Sequence, residues 1–163
     1  MLGAGRVEHY LFKQLAFVRS GTLKAASGVT EEMADLIPDG FRNSIRWNMG
    51  HVYVVLERFA FQYIGLPQQL PDGFKERFEY GTSPLTSASS APLPSLPELE
   101  QLLGEQNARI QATLQDRLQE KITPYTTSTG FTMDSPEQFL SLALYHEGQH
   151  QSVIKLYKNL LNR

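Results

Sequence analysis

The chain has 163 residues, with 15 basic and 17 acidic side chains, four histidines and no cysteine. This length predicts a single domain, residues 1–163, which can bury a core without disulfides or structural zinc. The missing cysteines exclude an iron–sulfur cluster, a cysteine-ligated metal and a cysteine nucleophile, and the net charge of −2 argues against binding to a nucleic-acid backbone.

The first part of the chain has the hydrophobic spacing of a helix. This helix is predicted from about Gly5 to Ser27, and Gly21 either loosens it or ends it. A short turn of helix follows, with Thr30 as its cap. Pro38-Asp39-Gly40 then breaks the chain, so a new element must begin after residue 40.

The second main helix is predicted from about Asn43 to Ile64, because Gly65 can adopt the left-handed conformation that ends helices. The following loop is expected to contain one helical turn near Phe74 to Phe78. From Gly81 to Pro97 the chain is uncharged and rich in serine, threonine and proline. This segment is either a floppy surface loop or a long crossover between helices.

The third main helix begins at a capping box, Ser95-Leu96-Pro97-Glu98, and is predicted to continue to about Lys121. Residues 122–133 form either a small hairpin or an extended loop. Ser135-Pro136-Glu137-Gln138 is a second predicted capping box, from which the fourth helix runs to the C-terminus. The pattern predicts an all-α fold, a four-helix bundle with a long loop between the second and third helices.

Two histidines lie where the fourth helix should face the core. They are four residues apart, so their imidazoles project from one face, one turn apart, and can converge on one cation. Buried histidines that only hydrogen-bond are the alternative, but two inward rings are hard to satisfy, which favours metal binding. The predicted core stripe comprises Phe139, Ala143, His146, His150, Val153, Tyr157 and Leu160.

A third histidine, His51, lies midway along the second helix and would complete a three-histidine site if it faced the fourth helix. Three protein ligands leave coordination positions open, as catalytic metal sites require. The alternative for His51 is a core histidine bonded to a nearby polar group such as Asn48. His9 has no partner at helical spacing and is expected at the surface.

The pentapeptide from His146 to His150 matches the H-E-x-x-H signature of zinc proteases. Glu147 is therefore a candidate general base, with a supporting role beside the ligands or simple exposure as alternatives. A protease of that kind is not favoured. Only residues 151–163 remain for a downstream ligand, and no sheet is predicted that could hold an extended peptide.

Two segments of the chain resemble the motifs of DinB-like proteins. The first is Asn43-Ser44-Ile45-Arg46-Trp47-Asn48-Met49-Gly50-His51, preceded by Ile37-Pro38-Asp39-Gly40, and the second is the pair His146 and His150. The resemblance covers nearly the whole chain. It implies a four-helix bundle, a divalent metal held by His51, His146 and His150, and a homodimer. It also implies a metal-dependent hydrolase, or a transferase or isomerase that uses a thiol such as bacillithiol or mycothiol.

We therefore expect a metal-dependent hydrolase or a low-molecular-weight-thiol S-transferase acting on a small molecule. Because the chain has no cysteine, any thiol must come from outside the protein. A non-enzymatic metal- or ligand-binding stress protein is the alternative. Zinc or nickel is the favoured metal, with iron or manganese as further candidates, since imidazole binds several of these ions.

No nucleic-acid or membrane partner is expected. The most apolar stretch, Val52 to Ile64, is interrupted by Glu57 and Arg58 and is too short to span a bilayer. The first residues lack the basic start and apolar run of a signal peptide, which favours a cytoplasmic location.

Overall fold

The structure, a computed structural model, describes residues 7–163 and is mostly helical. Four helices are long and two are short, and a 3₁₀ turn and a small antiparallel hairpin complete the regular elements of this range. In chain order they are α1 (Tyr10–Ala26), α2 (Glu31–Asp35), α3 (Ile45–Ala60), the 3₁₀ turn (Gln62–Ile64), α4 (Phe74–Phe78), α5 (Leu96–Leu114), β1 (Tyr125–Thr126), β2 (Thr132–Met133) and α6 (Pro136–Leu161).

Helix α3 occupies the centre of the packing. It contacts α2, α4, α5 and α6. Every residue of α3 except Arg58 is consequently buried, including the polar side chains of Arg46, Asn48 and His51. Helix α1 packs against α5 and α6. Within residues 7–163, no helix is both long and apolar enough to cross a membrane.

The first helix begins later than its sequence pattern predicts. Residue Gly5 lies outside the described range, and α1 starts at Tyr10 because the Nδ1 atom of His9 accepts the backbone N–H of Leu11, 3.2 Å away. Gly21 does not end the helix. A Cβ at that position would lie 2.6 Å from the side chain of Gln151, so the glycine lets α6 pack close to α1.

The structure confirms some of the predicted ends of the other helices and contradicts others. Ser95 and Glu98 form the predicted capping box at the start of α5, but α5 ends at Leu114 rather than near Lys121. The chain turns there, and the carbonyl of Leu118 accepts the backbone N–H of Glu137 in the first turn of α6. The second capping box is wrong, because the Ser135 side chain makes no capping hydrogen bond.

The segment between α4 and α5 has no helix or strand, yet it is fastened to the rest of the fold. The guanidinium of Arg46 donates to the carbonyl of Pro94 over 2.7 Å, and Arg77 donates to the carbonyls of Ser89 and Ala91. The Ser83 hydroxyl donates to the carbonyl of Arg42 over 2.6 Å. A floppy loop is therefore the wrong interpretation of this segment.

The sequence left either a small hairpin or an extended loop for residues 122–133, and the structure shows the hairpin. Strands β1 and β2 pair antiparallel, with Tyr125 opposite Met133 and Thr126 opposite Thr132. Met133 is fully buried in the core cluster that also contains Phe139, so the hairpin closes that end of the fold.

Candidate metal centre

The three histidines singled out by the sequence come together between α3 and α6. One ring nitrogen from each of His51, His146 and His150 lies within 4.8 Å of the others, a group that could hold a metal ion. The Nε2 atoms of His51 and His146 are 3.2 Å apart. Two nitrogens that share a tetrahedral ion at about 2.0–2.1 Å stand about 3.4 Å apart, so this spacing suits a common ion.

Helix α6 presents its two histidines at the edge of its buried face. Leu140, Glu147 and Ile154 recur every seven residues and form the buried centre of the helix, whereas His146 and His150 are half-buried. The most buried face of α6 is thus rotated by part of a turn from the predicted core stripe that contains His146 and His150. The reason is that α6 packs against both α1 and α3, so its buried face is wider than one stripe and the histidines lie on the side toward α3.

A close approach of two helices fixes the ring of His51. Gly50 precedes it, and a Cβ on this glycine would lie 2.5 Å from the ring of Phe78. The glycine therefore lets α4 pack directly onto α3. This packing brings the carbonyl oxygen of Phe78 to 2.6 Å from the Nδ1 atom of His51. The indole of Trp47 stacks on the imidazole at a ring-centroid distance of 4.4 Å.

A chain of hydrogen bonds fixes the ring of His150. Its Nδ1 atom lies 2.7 Å from the Oδ1 atom of Asn48. The amide nitrogen of Asn48 donates to the carbonyl of Ser44 over 2.8 Å and to the Oδ1 atom of Asn43 over 3.0 Å. The hydroxyl of Tyr157 donates to the same Asn43 oxygen over 2.7 Å. Asn48 therefore supports His150, not His51 as the sequence suggested.

Few features of the sequence predict these supporting contacts. A buried asparagine one turn before His51 is a usable signal, because a polar side chain on an otherwise apolar helix needs a partner. The carbonyl of Phe78 has no such signal, since every residue carries a carbonyl and only the tertiary packing selects this one.

Burial keeps the three imidazoles neutral. Burial, with smaller contributions from the neighbouring histidines and Arg58, lowers the pKa of His146 to about 3. Burial and His51 lower the pKa of His150 to about 4. Burial also lowers the pKa of His51, although the carbonyl of Phe78 opposes that shift. Neutral rings retain the lone pair that a metal requires, so the site is ready to bind an ion near neutral pH.

Glu147 lies in the H-E-x-x-H segment but makes its contacts elsewhere. It is buried, so the exposed alternative is wrong. Both carboxylate oxygens accept from Arg19, over 2.8 and 3.1 Å, and one also accepts from the hydroxyl of Thr22. Arg19 additionally donates to the carbonyl of Leu103 over 2.7 Å. Glu147 therefore joins α6 to α1, and a catalytic role for it stays a prediction.

His9 does not take part in the cluster. Its side chain is exposed, as the sequence predicts, and its Nε2 atom lies 3.3 Å from the carboxylate of Glu137. His9 is thus the one histidine of the chain outside the candidate site, which makes it a natural control in metal-binding experiments.

Comparison with known families agrees with the geometry. The family model of the DinB superfamily matches residues 14–154, a segment that includes all three clustered histidines. Comparison with curated proteins finds no match.

Proposed function

This chain belongs to the DinB superfamily, and on that premise we propose that His51, His146 and His150 bind a divalent transition metal. The observation that carries the proposal is that one ring nitrogen from each of the three histidines lies within 4.8 Å of the others. The donor set fits such an ion, since all three donors are borderline-soft nitrogens. Zinc or nickel is favoured, with iron or manganese as further candidates.

We propose that the centre is catalytic, within a four-helix bundle formed by α1, α3, α5 and α6. Three protein donors leave coordination positions open, and His146 and His150 are half-buried and not fully enclosed, which supports access for a small molecule. A divalent ion held there would supply Lewis-acid activation of a nucleophile. The proposed reaction is hydrolysis, or S-transfer from an external low-molecular-weight thiol, since the chain has no cysteine of its own.

Metal content tests the binding proposal directly. The wild-type protein should take up one equivalent of zinc or nickel, and His150→Ala should lose that uptake while remaining folded. His9→Ala is the matched control, because it removes a histidine outside the cluster and should leave uptake unchanged. Equal uptake by His150→Ala and the wild type, measured by elemental analysis after gel filtration, would refute the assignment.

Turnover with and without a thiol separates the two proposed reactions. The metal-loaded protein is incubated with an electrophile, in the presence or absence of bacillithiol. Consumption that requires the thiol supports S-transfer, whereas product formed in water alone supports hydrolysis and rules the transferase out.

A non-enzymatic metal- or ligand-binding stress protein is the alternative, and one observation favours it. Glu147 is the acidic residue of the H-E-x-x-H segment, but its oxygens accept hydrogen bonds from Arg19 and Thr22, which favours a structural role over proton transfer. A metal-loaded protein that binds electrophiles or thiols without converting either would support this alternative.

Three further expectations belong to the proposal. The superfamily resemblance implies a homodimer, which sedimentation equilibrium of the metal-loaded protein would reveal. A cytoplasmic location and a single domain spanning residues 1–163 also stay predictions. Nucleic acid is not an expected partner, because the chain has a net charge of −2.

A further inference from the structure

We infer that His146 is the only ligand that must change its tautomer when a metal binds, because hydrogen bonds already preset His51 and His150 as Nε2 donors. This inference rests on the proposed metal site. It assigns new positioning roles to Asn48, Asn43 and the backbone carbonyl of Phe78. Each tautomer is fixed by a partner atom that can only accept a hydrogen bond.

The tautomer of His51 follows from its contact with Phe78. A carbonyl oxygen accepts hydrogen bonds and cannot donate one. The Nδ1 atom of His51, 2.6 Å from that oxygen, must therefore carry the proton. In a neutral imidazole the other nitrogen then has a free lone pair. The Nε2 atom of His51 consequently points into the site as an acceptor and needs no rearrangement to bind a cation.

The tautomer of His150 follows from two contacts of Asn48. The Asn48 side-chain atom that lies 2.8 Å from the Ser44 carbonyl must be its amide nitrogen, since that carbonyl only accepts. The amide oxygen of Asn48 therefore faces His150 and accepts from its Nδ1 atom over 2.7 Å. The Nε2 atom of His150 retains its lone pair. Asn43 holds the Asn48 amide in this orientation, and Tyr157 holds Asn43.

His146 has the opposite arrangement. Its Nε2 atom lies 3.2 Å from the Nε2 atom of His51, which has a lone pair, so His146 must donate in this contact. Its Nδ1 atom has no hydrogen-bond partner among the described residues that would hold a proton there. The metal-free form of His146 is therefore the Nε2–H tautomer. This proton occupies the position that a shared cation would take.

Metal binding then requires a defined proton movement on one ring. The Nε2–H bond of His146 breaks and an Nδ1–H bond forms, with solvent carrying the proton because this residue is not fully buried. The ring is neutral before and after, so no net proton is released. The hydrogen bond between His146 and His51 is lost, and the cation takes the place of the proton between their Nε2 atoms.

Nitrogen-15 NMR of histidine-labelled protein tests the inference without any activity assay. Long-range proton–nitrogen spectra distinguish the two tautomers, and single histidine-to-glutamine variants assign the rings. The metal-free protein should show Nδ1–H patterns for His51 and His150 and an Nε2–H pattern for His146. One equivalent of zinc should convert His146 to the Nδ1–H pattern and leave the other two tautomers unchanged.

The outcomes separate this inference from the proposed function. If zinc shifts the ring nitrogens but His146 remains Nε2–H, or is already Nδ1–H without metal, the tautomer switch is overturned and the metal site stands. If zinc shifts none of the three rings, both the switch and the metal site are overturned.

Variants of Asn48 test its positioning role. Asn48→Asp keeps an acceptor beside His150 and should keep its Nδ1–H pattern, whereas Asn48→Leu should lose that pattern and weaken zinc affinity about 10–100-fold. His51 is the internal control, because its pattern depends on Phe78 and should survive both changes. Tyr157→Phe, which removes only the hydroxyl that holds Asn43, provides a milder test if Asn48→Leu does not fold. An unchanged His150 pattern in folded Asn48→Leu, or in Tyr157→Phe where the leucine variant fails, would contradict the role.

Discussion

At the scale of single residues, His51 and His150 each place one ring nitrogen against a hydrogen-bond acceptor of the protein. Metal-binding histidines generally donate their second nitrogen to a carbonyl, a carboxylate or water, which fixes both ring orientation and tautomer. Here a backbone carbonyl and an amide oxygen provide that contact. The entropy of ordering these two rings is therefore lost during folding and not during metal binding.

Gly50 offers a direct test of the support for His51. A methyl group in Gly50→Ala would lie 2.5–2.6 Å from carbon atoms of the Phe78 ring, so α4 must move away from α3. Overpacking of this kind typically costs about 1–3 kcal/mol. We expect a loss of that size in the free energy of unfolding by urea, together with weaker zinc affinity, since the Phe78 carbonyl moves with α4.

Gly104→Ala is the matched control for Gly50→Ala. Gly104 lies within α5, and a Cβ added to it would have no neighbouring atom within 4 Å, so alanine meets nothing there. Replacing an exposed helical glycine by alanine stabilises a helix by about 1 kcal/mol. A Gly50→Ala protein as stable as Gly104→Ala would contradict the role of the close α3–α4 contact.

Glu147 is expected to matter for stability more than for metal binding. Glu147→Ala leaves the buried guanidinium of Arg19 without its carboxylate, and such losses cost about 3–5 kcal/mol. Glu147→Gln keeps an acceptor for Arg19 and Thr22 and should be the milder change. Zinc uptake by folded Glu147→Gln should equal that of the wild type.

The exposed pair of Arg117 and Glu120 is the control for this buried pair. Exposed ion pairs contribute little to stability, so Glu120→Ala should leave the urea midpoint nearly unchanged. If Glu147→Ala were as harmless as Glu120→Ala, the structural role of Glu147 would be wrong and its catalytic role would gain support.

At the scale of elements, the candidate site lies between α3, which is almost wholly buried, and α6, which has an exposed face. Every residue of α3 except Arg58 is buried, whereas His146 and His150 of α6 are half-buried. His51 therefore lies within the core, and the two α6 histidines lie beside it at the edge of the buried region.

This arrangement predicts how stability of the metal-free protein depends on pH. In the unfolded chain the histidines take up protons near pH 6.5, but in the folded protein the pKa of His146 is about 3 and that of His150 about 4. Below pH 6.5 the unfolded state binds more protons, so folding stability falls as the pH falls. Between pH 7.5 and 5.5 we expect a loss of about 1 kcal/mol per histidine in urea unfolding.

The double variant His146→Gln/His150→Gln isolates this effect from that of the carboxylates. It should lose clearly less stability than the wild type over the same pH interval, because glutamine does not titrate. An equal loss in both proteins would mean that the two histidines are protonated as readily in the folded state as in the unfolded one.

The elements that the sequence predicted well are those with local signals. Thr30 and Ser95 cap α2 and α5 through contacts with their own neighbours, and the structure confirms both. The predicted end of the second main helix at Ile64 is wrong, because α3 ends at Ala60 and the left-handed Gly65 ends only the 3₁₀ turn that follows. The end of α5 was missed because the partner of the Leu118 carbonyl is Glu137, which is distant in sequence.

In the candidate site, too, the features with a local sequence signal were predicted and those that depend on tertiary packing were not. Helical spacing at predicted core positions identified His146 and His150. His51 followed from its place midway along the second main helix, from which it could complete a three-histidine site with that pair. The partners of these rings, Phe78 and Asn48, approach from a different helix in each case. Spacing along one helix cannot predict such contacts, because they depend on how α4 and α6 pack against α3.

At the scale of the whole molecule, a metal at this centre would link α3 to α6 across the fold. Because the unfolded chain cannot assemble the three ligands, zinc at 100 times its dissociation constant should stabilise the protein by about 2.7 kcal/mol. For a chain of this length, that raises the melting temperature by about 5–10 °C. Differential scanning calorimetry with zinc, and again after chelation, measures the shift.

The double variant His146→Gln/His150→Gln should show no such shift, since only His51 remains of the ligand set. His9→Ala should show the full shift. A zinc-dependent rise of equal size in the double variant would indicate that zinc stabilises the fold from another site.

The sharpest test of the three-histidine centre is a crystal structure of the zinc-loaded protein with anomalous diffraction data collected at the zinc absorption edge. We expect one strong anomalous peak between α3 and α6, about 2.0–2.1 Å from the Nε2 atoms of His51, His146 and His150. A peak on other residues, or His51 turned away from an ion held by the other two, would contradict this centre.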